Sequence, residues 1–281
     1  MNTRYRWSTG VREALLGLVT LLFLAPIYFL VVSSLKTTAQ TVSDPWGLPL
    51  TPTWANFERA WEAGGQLGGA SLSGALVNSL VVTVVSLVLI VVLGSTAGYA
   101  IARNTSRWSN RVFTFFLVGI TLPIQIVVIP LYQFLTSVGI DGIVGLVLFY
   151  AAVLLPFTVF LYATFMRALP PDYEEAALTE GAGTITIFVR VVLPLMGPVT
   201  GTVLVLNAIN IWNDFFTPLV FLGGSKAETL PVVIYGFVGQ YAADWGLIFA
   251  GMLIAILPVL ALYLVLQRRF IEGITAGALK S

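Results

Sequence analysis

Long apolar stretches, separated by short polar or charged ones, set the pattern of this chain. Several exceed the roughly 18–20 apolar residues that a helix needs to cross a bilayer. Six runs stand out, at about 14–34, 76–102, 112–135, 143–166, 196–222 and 246–267. The pattern predicts an all-α integral membrane protein, a six-span bundle forming one transmembrane domain over residues 1–281. The first run follows Arg4, Arg6 and Arg12 and resembles a signal peptide at first sight. It is too long for a signal core and no small-residue cleavage site follows it, so it reads as a span.

Composition reinforces this. The chain is 58% hydrophobic and 10% charged, and its mean hydropathy is +0.93. One soluble globule has too little polar surface here to cover its core. A net charge of +1 argues against nucleic acid as a partner and against a purely electrostatic membrane association; it is the apolar runs that make membrane lipid the surroundings. There is no cysteine and no histidine. Thiolate metal sites, disulfides and cysteine nucleophiles are therefore excluded, and the usual general base and commonest metal ligand are missing.

The loops alternate in charge. Arg4, Arg6, Arg12, Arg103, Arg107, Arg111, Arg167, Arg190, Arg268, Arg269 and Lys280 fall on one side of the predicted membrane, and Lys36, Arg59 and Lys226 on the other. Eleven of the 14 basic residues on one side is a strong positive-inside signal that places both termini in the cytoplasm. The longest outer loop, about 36–75, carries Trp54, Phe57 and Trp61 at i, i+3, i+7. A short amphipathic helix fits there, either as an interfacial aromatic anchor or as a docking surface for an outer partner.

The polar segment 170–194 lies on the cytoplasmic side of this topology. Pro170 and Pro171 end the fourth span, because neither can continue a backbone ladder. Asp172 is placed to cap a new helix, with Glu175 completing a capping box. Tyr173, Ala176 and Ala177 share one face of it, and Gly181 suits the left-handed position that stops it. A second amphipathic piece follows, with Ile185, Phe188, Val189 and Val192 on one face and Pro194 closing it. The expectation is helix, glycine elbow, helix, with Glu174 and Glu175 offering charge to a basic partner.

Glu175-Ala176-Ala177, then Gly181, then Val191-x-Leu193-Pro194 resembles the EAA loop of ABC-importer permeases. The resemblance runs through nearly the whole chain, toward the second permease subunit of the maltose-transporter type. Ser33-Ser34-Leu35-Lys36, Asn78-Ser79-Leu80, Gly98-Tyr99-Ala100-Ile101-Ala102-Arg103, Leu122-Pro123, Ile129-Pro130-Leu131, Trp212-Asn213-Asp214-Phe215 with Pro218, and the tail from Gln267 to Lys280 carry it. Small departures are Val191 for isoleucine, Glu180 for aspartate and Ser281 for glycine. The resemblance implies a carbohydrate-importer permease in a bacterial or archaeal plasma membrane. It further implies a second homologous permease as heterodimer partner, two copies of an ABC ATPase and an extracytoplasmic sugar-binding protein. ATP and Mg would be bound by that ATPase, with no cofactor and no catalytic site in this chain. Glu174, Glu175, Ala176, Ala177, Gly181, Leu193 and Pro194 would form the coupling surface. The tail at Gly277, Ala278 and Lys280 would reach the ATPase, or else end as a solvated terminus.

Asp214 is the one ionisable residue well inside a predicted span, and its burial requires protein or a water-filled cavity around it. Asn207, Asn210, Asn213 and Asp214 form a polar stripe beside Trp212 and Phe215. Sugar hydroxyls leaving water need such replacement partners, but asparagine also serves as interhelical glue in membranes; both roles are open. Gln125 and Asn78 are further pathway candidates. Pro123, Pro130, Pro156 and Pro258 interrupt spans and predict kinks. An ion-coupled transporter would want more intramembrane acids or broken-helix ion sites. A scaffold would need no polar stripe, and an intramembrane enzyme would lack its usual bases.

Overall fold

The structure, a computed structural model, describes residues 7–64, 69–240 and 244–278. Helix dominates, and no β-strand occurs among the described residues. The helices are α1 (Trp7–Ser34), α2 (Thr38–Ser43), α3 (Ala55–Glu62), α4 (Leu72–Arg103), α5 (Arg107–Ile120), α6 (Ile124–Ser137) and α7 (Gly142–Ala168). They continue with α8 (Asp172–Thr179), α9 (Thr184–Ile187), a π-helical turn at Phe188–Val192, and α10 (Leu193–Leu195). The last four are α11 (Gly197–Asn213), α12 (Phe216–Leu222), α13 (Leu230–Gln240) and α14 (Trp245–Ala278).

Four helices contain stretches long and apolar enough to cross a membrane: Gly10–Ser34, Leu72–Arg103, Gly142–Ala168 and Trp245–Val265. Two bent pairs raise the number to as many as six if each pair makes one crossing. The run expected as one span at 112–135 is such a pair, α5 and α6, bent by 105°. Pro123 stands at the N-cap of α6, where it withholds the donor needed to carry α5 onward. The run expected at 196–222 is likewise interrupted: α11 ends at Asn213, Asp214 and Phe215 are non-helical, and α12 resumes. Upstream, the arm Thr184–Leu195 meets α11 at 72°. Pro130, Pro156 and Pro258 are carried inside α6, α7 and α14 instead of ending them.

The chain divides into two units. The smaller comprises Met1–Gly64 and Ile234–Ile256. Here Lys36 is buried, and its ammonium donates to the carbonyls of Asp44 (2.6 Å) and Pro45 (3.4 Å). The Asn56 amide donates to the carbonyls of Ser34 and Lys36, both at 2.8 Å. A buried ammonium without such acceptors would be costly, so these bonds fix the turn between α1 and α3. Arg59 pairs with Asp244, which also accepts from Thr38 Oγ1 at 3.1 Å. The helix expected near Trp54–Trp61 is α3, with both tryptophans exposed.

The larger unit, Gly65–Val233 with Leu257–Ser281, holds the main core. The seam between α4 and α7 organises it. Buried residues on α4 include Ala75, Ser79, Val82, Ser86, Ile90, Gly94, Gly98 and Ile101, a three- and four-residue spacing rich in small side chains. In lipid there is little hydrophobic gain from joining two apolar helices, so close backbone approach through small residues supplies the contact. Phe149 and Phe221 extend the core toward α12, with ring centroids 5.5 Å apart.

Candidate functional site

The segment 170–194 folds as an elbow. α8 starts one residue earlier than the sequence suggests. Pro171 is its N-cap, already helical at φ −66° and ψ −19°, and no side chain caps it. Asp172 therefore lies in the first turn with Glu174 and Glu175, and the expected capping box is absent; the three acids complement the positive end of the helix instead. The stop is as expected. Gly181 adopts φ +83°, its N–H donates to Leu178 O at 2.9 Å and the Ala182 N–H to Ala177 O at 3.0 Å. These two bonds form a Schellman closure, which needs a residue free to be left-handed.

The second arm corrects the expected helical face. Ile185 and Val189 are exposed, while Ile187 and Val192 are buried. The π turn at Phe188–Val192 adds a residue per turn, so buried positions fall five apart and the 3.6-residue reading fails. Pro194 lies inside α10 and is exposed, with Leu193 half-buried.

Glu174 also departs from expectation. It is only 8% exposed, and its Oε1 accepts from Arg103 Nε at 2.6 Å and its Oε2 from the Tyr99 hydroxyl at 2.9 Å. Its charge is thus engaged within the chain rather than offered outward, because Tyr99 and Arg103 share a face of α4's last turns. Glu175 and Ala176 are exposed, and Ala177 is half-buried. Tyr173, Leu178, Ile185 and Val189 add apolar surface to the outside of the elbow, at 52, 56, 80 and 50% exposure.

The polar stripe on α11 separates into different surroundings. Asn207 is fully buried, donating to Thr158 Oγ1 of α7 at 3.2 Å and to Val203 O at 2.9 Å. The first of these bonds joins α11 to α7. Asn78 likewise ties α4 to the loop before α13, donating to the carbonyls of Lys226 (3.2 Å) and Glu228 (3.0 Å). Trp212 is buried and lines an apolar cleft of about 280 Å³ with Leu80, Thr83 and Pro258. Gln125, Asn210, Asn213 and Asp214 come together with Phe216 in another cleft of about 340 Å³. This cleft lies where both broken runs break, between the start of α6 and the α11–α12 junction. A 100° turn per residue takes Trp212 and Asn213 to different sides of one helix.

Asp214 has structural partners as well. Its Oδ2 accepts from the buried Tyr150 hydroxyl at 3.0 Å and its Oδ1 from the Thr217 N–H at 3.2 Å. Gly98, Tyr99 and Arg103 enter the sequence reading only through the stretch 98–103 that carries the resemblance, and Arg103 also as a basic loop residue; none of them, nor Gly94 or Tyr150, is given a structural or site role there. The i, i+4 spacing of Tyr99 and Arg103, and the two glycines four apart, were the available signals. Of the tail, Gly277 and Ala278 end α14, and Lys280 lies outside the described residues.

Comparison with known proteins agrees with this architecture. The family described as binding-protein-dependent transport system inner membrane component matches residues 90–275. The chain is 34% identical to the melibiose/raffinose/stachyose import permease protein MelC of Bacillus subtilis, over 97% of both chains. It is 33% identical to the multiple sugar-binding transport system permease protein MsmG of Streptococcus mutans, over 96% of both. Its fold is similar to that in the crystal structure of a bacterial ABC transporter involved in the import of the acidic polysaccharide alginate. There the TM-score is 0.77 at 22% identity, covering 96% of this chain and all of that one. An elbow with a glycine stop, broken apolar helices and near full-length similarity to import permeases lead to one assignment: the chain belongs to the family of binding-protein-dependent transport system inner membrane components, the permease subunits of ABC transporters.

Proposed function

We propose that this chain is one of two permeases in an ATP-driven sugar importer, and that the 170–194 elbow receives the stroke of a partner ATPase. The observation that carries this is the elbow's outer surface. Tyr173, Leu178, Ile185 and Val189 are exposed on a polar, glycine-broken segment, beside the exposed carboxylate of Glu175. Exposed apolar side chains on a rigid, glycine-closed projection suit a shallow groove in a partner protein. Glu175, Ala176, Ala177, Gly181, Leu193 and Pro194 belong to this element, and Glu174 anchors it from behind.

In this reading the positive-inside pattern puts the elbow and both termini in the cytoplasm of a bacterial or archaeal cell, with six crossings. A second homologous permease completes the pathway. Two ATPase copies bind ATP and Mg, and an outer sugar-binding protein delivers substrate. ATPase closure would open the bundle outward, and its reopening would release sugar inward. Differential contacts in the two states supply the driving free energy. The cleft at Gln125, Asn210, Asn213 and Asp214 is this chain's share of the sugar path. Its amides offer donors and acceptors to hydroxyls, and Phe216 a face for a ring. The tail at Gly277 to Lys280 would reach toward the ATPase.

The test is affinity purification of this chain in mild detergent, as wild type and as Glu175→Arg. Wild type should bring down an ABC ATPase and a second permease, and Glu175→Arg should lose the ATPase alone. A wild-type chain that purifies alone and transports in liposomes without ATP would overturn the proposal. Melibiose, raffinose and stachyose, named for the Bacillus subtilis relative, are the first sugars to screen.

A further inference from the structure

The elbow touches the rest of its unit in an uneven way. Within α8, Asp172, Tyr173, Glu175, Ala176, Leu178 and Thr179 are exposed, and only Glu174 is buried. That one carboxylate meets two side chains of α4. Arg103 approaches through Nε at 2.6 Å and Nη2 at 2.5 Å, and the Tyr99 hydroxyl donates at 2.9 Å. Tyr99 has a second contact: its ring lies 5.0 Å from that of Phe188 in the other arm of the elbow. Two residues one turn apart on α4 therefore hold both arms.

α4 is in turn locked to α7. A Cβ on Gly98 would fall 2.6 Å from Tyr162 Cβ and 3.1 Å from the Ala163 nitrogen. Helices this close leave little room to slide. α8 is joined to α7 through the chain itself, but its route to α4 is this polar cluster. A charge-assisted, partly buried contact keeps its geometry better than an exposed ion pair, because water competes less for its members.

We propose that Tyr99, Arg103 and Glu174 form a clamp that makes the coupling helix and the end of α4 move as one body, so that α4 as well as α7 takes up the stroke. This rests on the coupling role of the elbow given above. The three are positioning residues. Removing the charge of Glu174 frees α8 to swing about Pro170–Pro171 without α4.

The chain lacks cysteine, so labels can be placed directly. Thr179→Cys on α8 and Val92→Cys on α4, both exposed, would carry spin labels in the complex purified through this chain. Pulsed dipolar spectroscopy would be recorded without nucleotide and with ATP and vanadate. Wild type should give one narrow distance, unchanged by nucleotide. Glu174→Gln and Arg103→Gln should at least double the width of the distribution or make it shift with nucleotide, and Tyr99→Phe should act in the same direction more weakly. The exchange Arg103→Glu with Glu174→Arg should restore the narrow distance. Single variants that keep the wild-type distribution in both states would overturn the clamp, as would a wild-type distance that itself shifts with nucleotide. Failure of the coupling role shows separately, as absence of the ATPase from the wild-type complex.

Discussion

Gly98 and Tyr162 face each other across the α4–α7 crossing with no room for a side chain on the glycine: a Cβ there would lie 2.6 Å from the tyrosine Cβ. The obstacle is not a flexible tip. The Ala163 nitrogen at 3.1 Å and the Tyr162 carbonyl carbon at 3.3 Å stand behind it. Gly98→Ala should therefore destabilise the detergent-solubilised chain by about 1–3 kcal/mol, the usual cost of overpacking, and Gly98→Leu should prevent accumulation. Gly236→Ala is the control, with nothing within 4 Å of its added carbon. Thermal denaturation should leave Gly236→Ala at or above the wild-type midpoint, since alanine favours helix.

Gly181 makes a different demand, on backbone rather than space. Nothing lies within 4 Å of a Cβ built there, but its φ is +83°. An ordinary L-residue pays about 1–2 kcal/mol to be left-handed, and asparagine less. Gly181→Val should unwind the Schellman closure and lower the amount of ATPase that co-purifies. Gly181→Asn should retain most of it. Equal retention by both would mean that the elbow's shape does not govern docking.

Much of this was legible in the sequence, for physical reasons. Helices in a bilayer must satisfy their own backbone, so long apolar runs translate directly into helix. Gly181 could be placed because only a few residues stop a helix in that way. The break at Pro123 was signalled, but not its 105° angle, which depends on what α6 packs against. The break at Asp214 was hidden because Asn213-Asp214-Phe215 lies in a run apolar enough to read as continuous. Facing was the least legible property. Asn207 and Asn210 are both asparagines one turn apart, yet Thr158 on another helix draws the first into the packing and the second lines a cleft. Glu174 and Glu175 are adjacent and chemically alike. Only the positions of Tyr99 and Arg103, more than 70 residues away, decide which of them turns inward.

Asp244 predicts a pH response in the smaller unit. Burial alone would raise its carboxyl pKa, but the Arg59 bond, the Leu247 N–H, the Thr38 hydroxyl and attraction to Arg59 outweigh this and hold it below the usual carboxylate range. A group depressed on folding adds stability above its unfolded pKa and loses it as pH falls through the folded value. The Arg59–Asp244 contact should thus persist down to the ordinary carboxylate range and weaken only below it. Arg59 is half-exposed, so the effect should be small, at most about 1 kcal/mol. The protection of the Leu247 amide, its exchange rate set against the intrinsic rate at each pH, should fall below that range in wild type. In Asp244→Asn that protection should be lower already at neutral pH and lose its acid dependence.

In the polar cleft, mutation can separate a part in holding the fold from the proposed part in the sugar path. Asp214 accepts from Tyr150, which is 4% exposed, and from the Thr217 backbone. Asp214→Ala leaves a buried hydroxyl without its acceptor, a loss of about 1–3 kcal/mol, and should lower the melting midpoint and the yield of assembled complex. Asn207→Ala should behave similarly, since Thr158 loses its donor. Gln125 and Asn210 are exposed in the cleft, so Gln125→Leu and Asn210→Leu should change stability by less than about 0.5 kcal/mol. Their effect should appear instead as a several-fold fall in sugar uptake per ATP hydrolysed, measured in proteoliposomes with the full complex. Uptake unchanged in both leucine variants would remove the cleft from the sugar path and leave Asp214 as a purely structural hinge between α11 and α12.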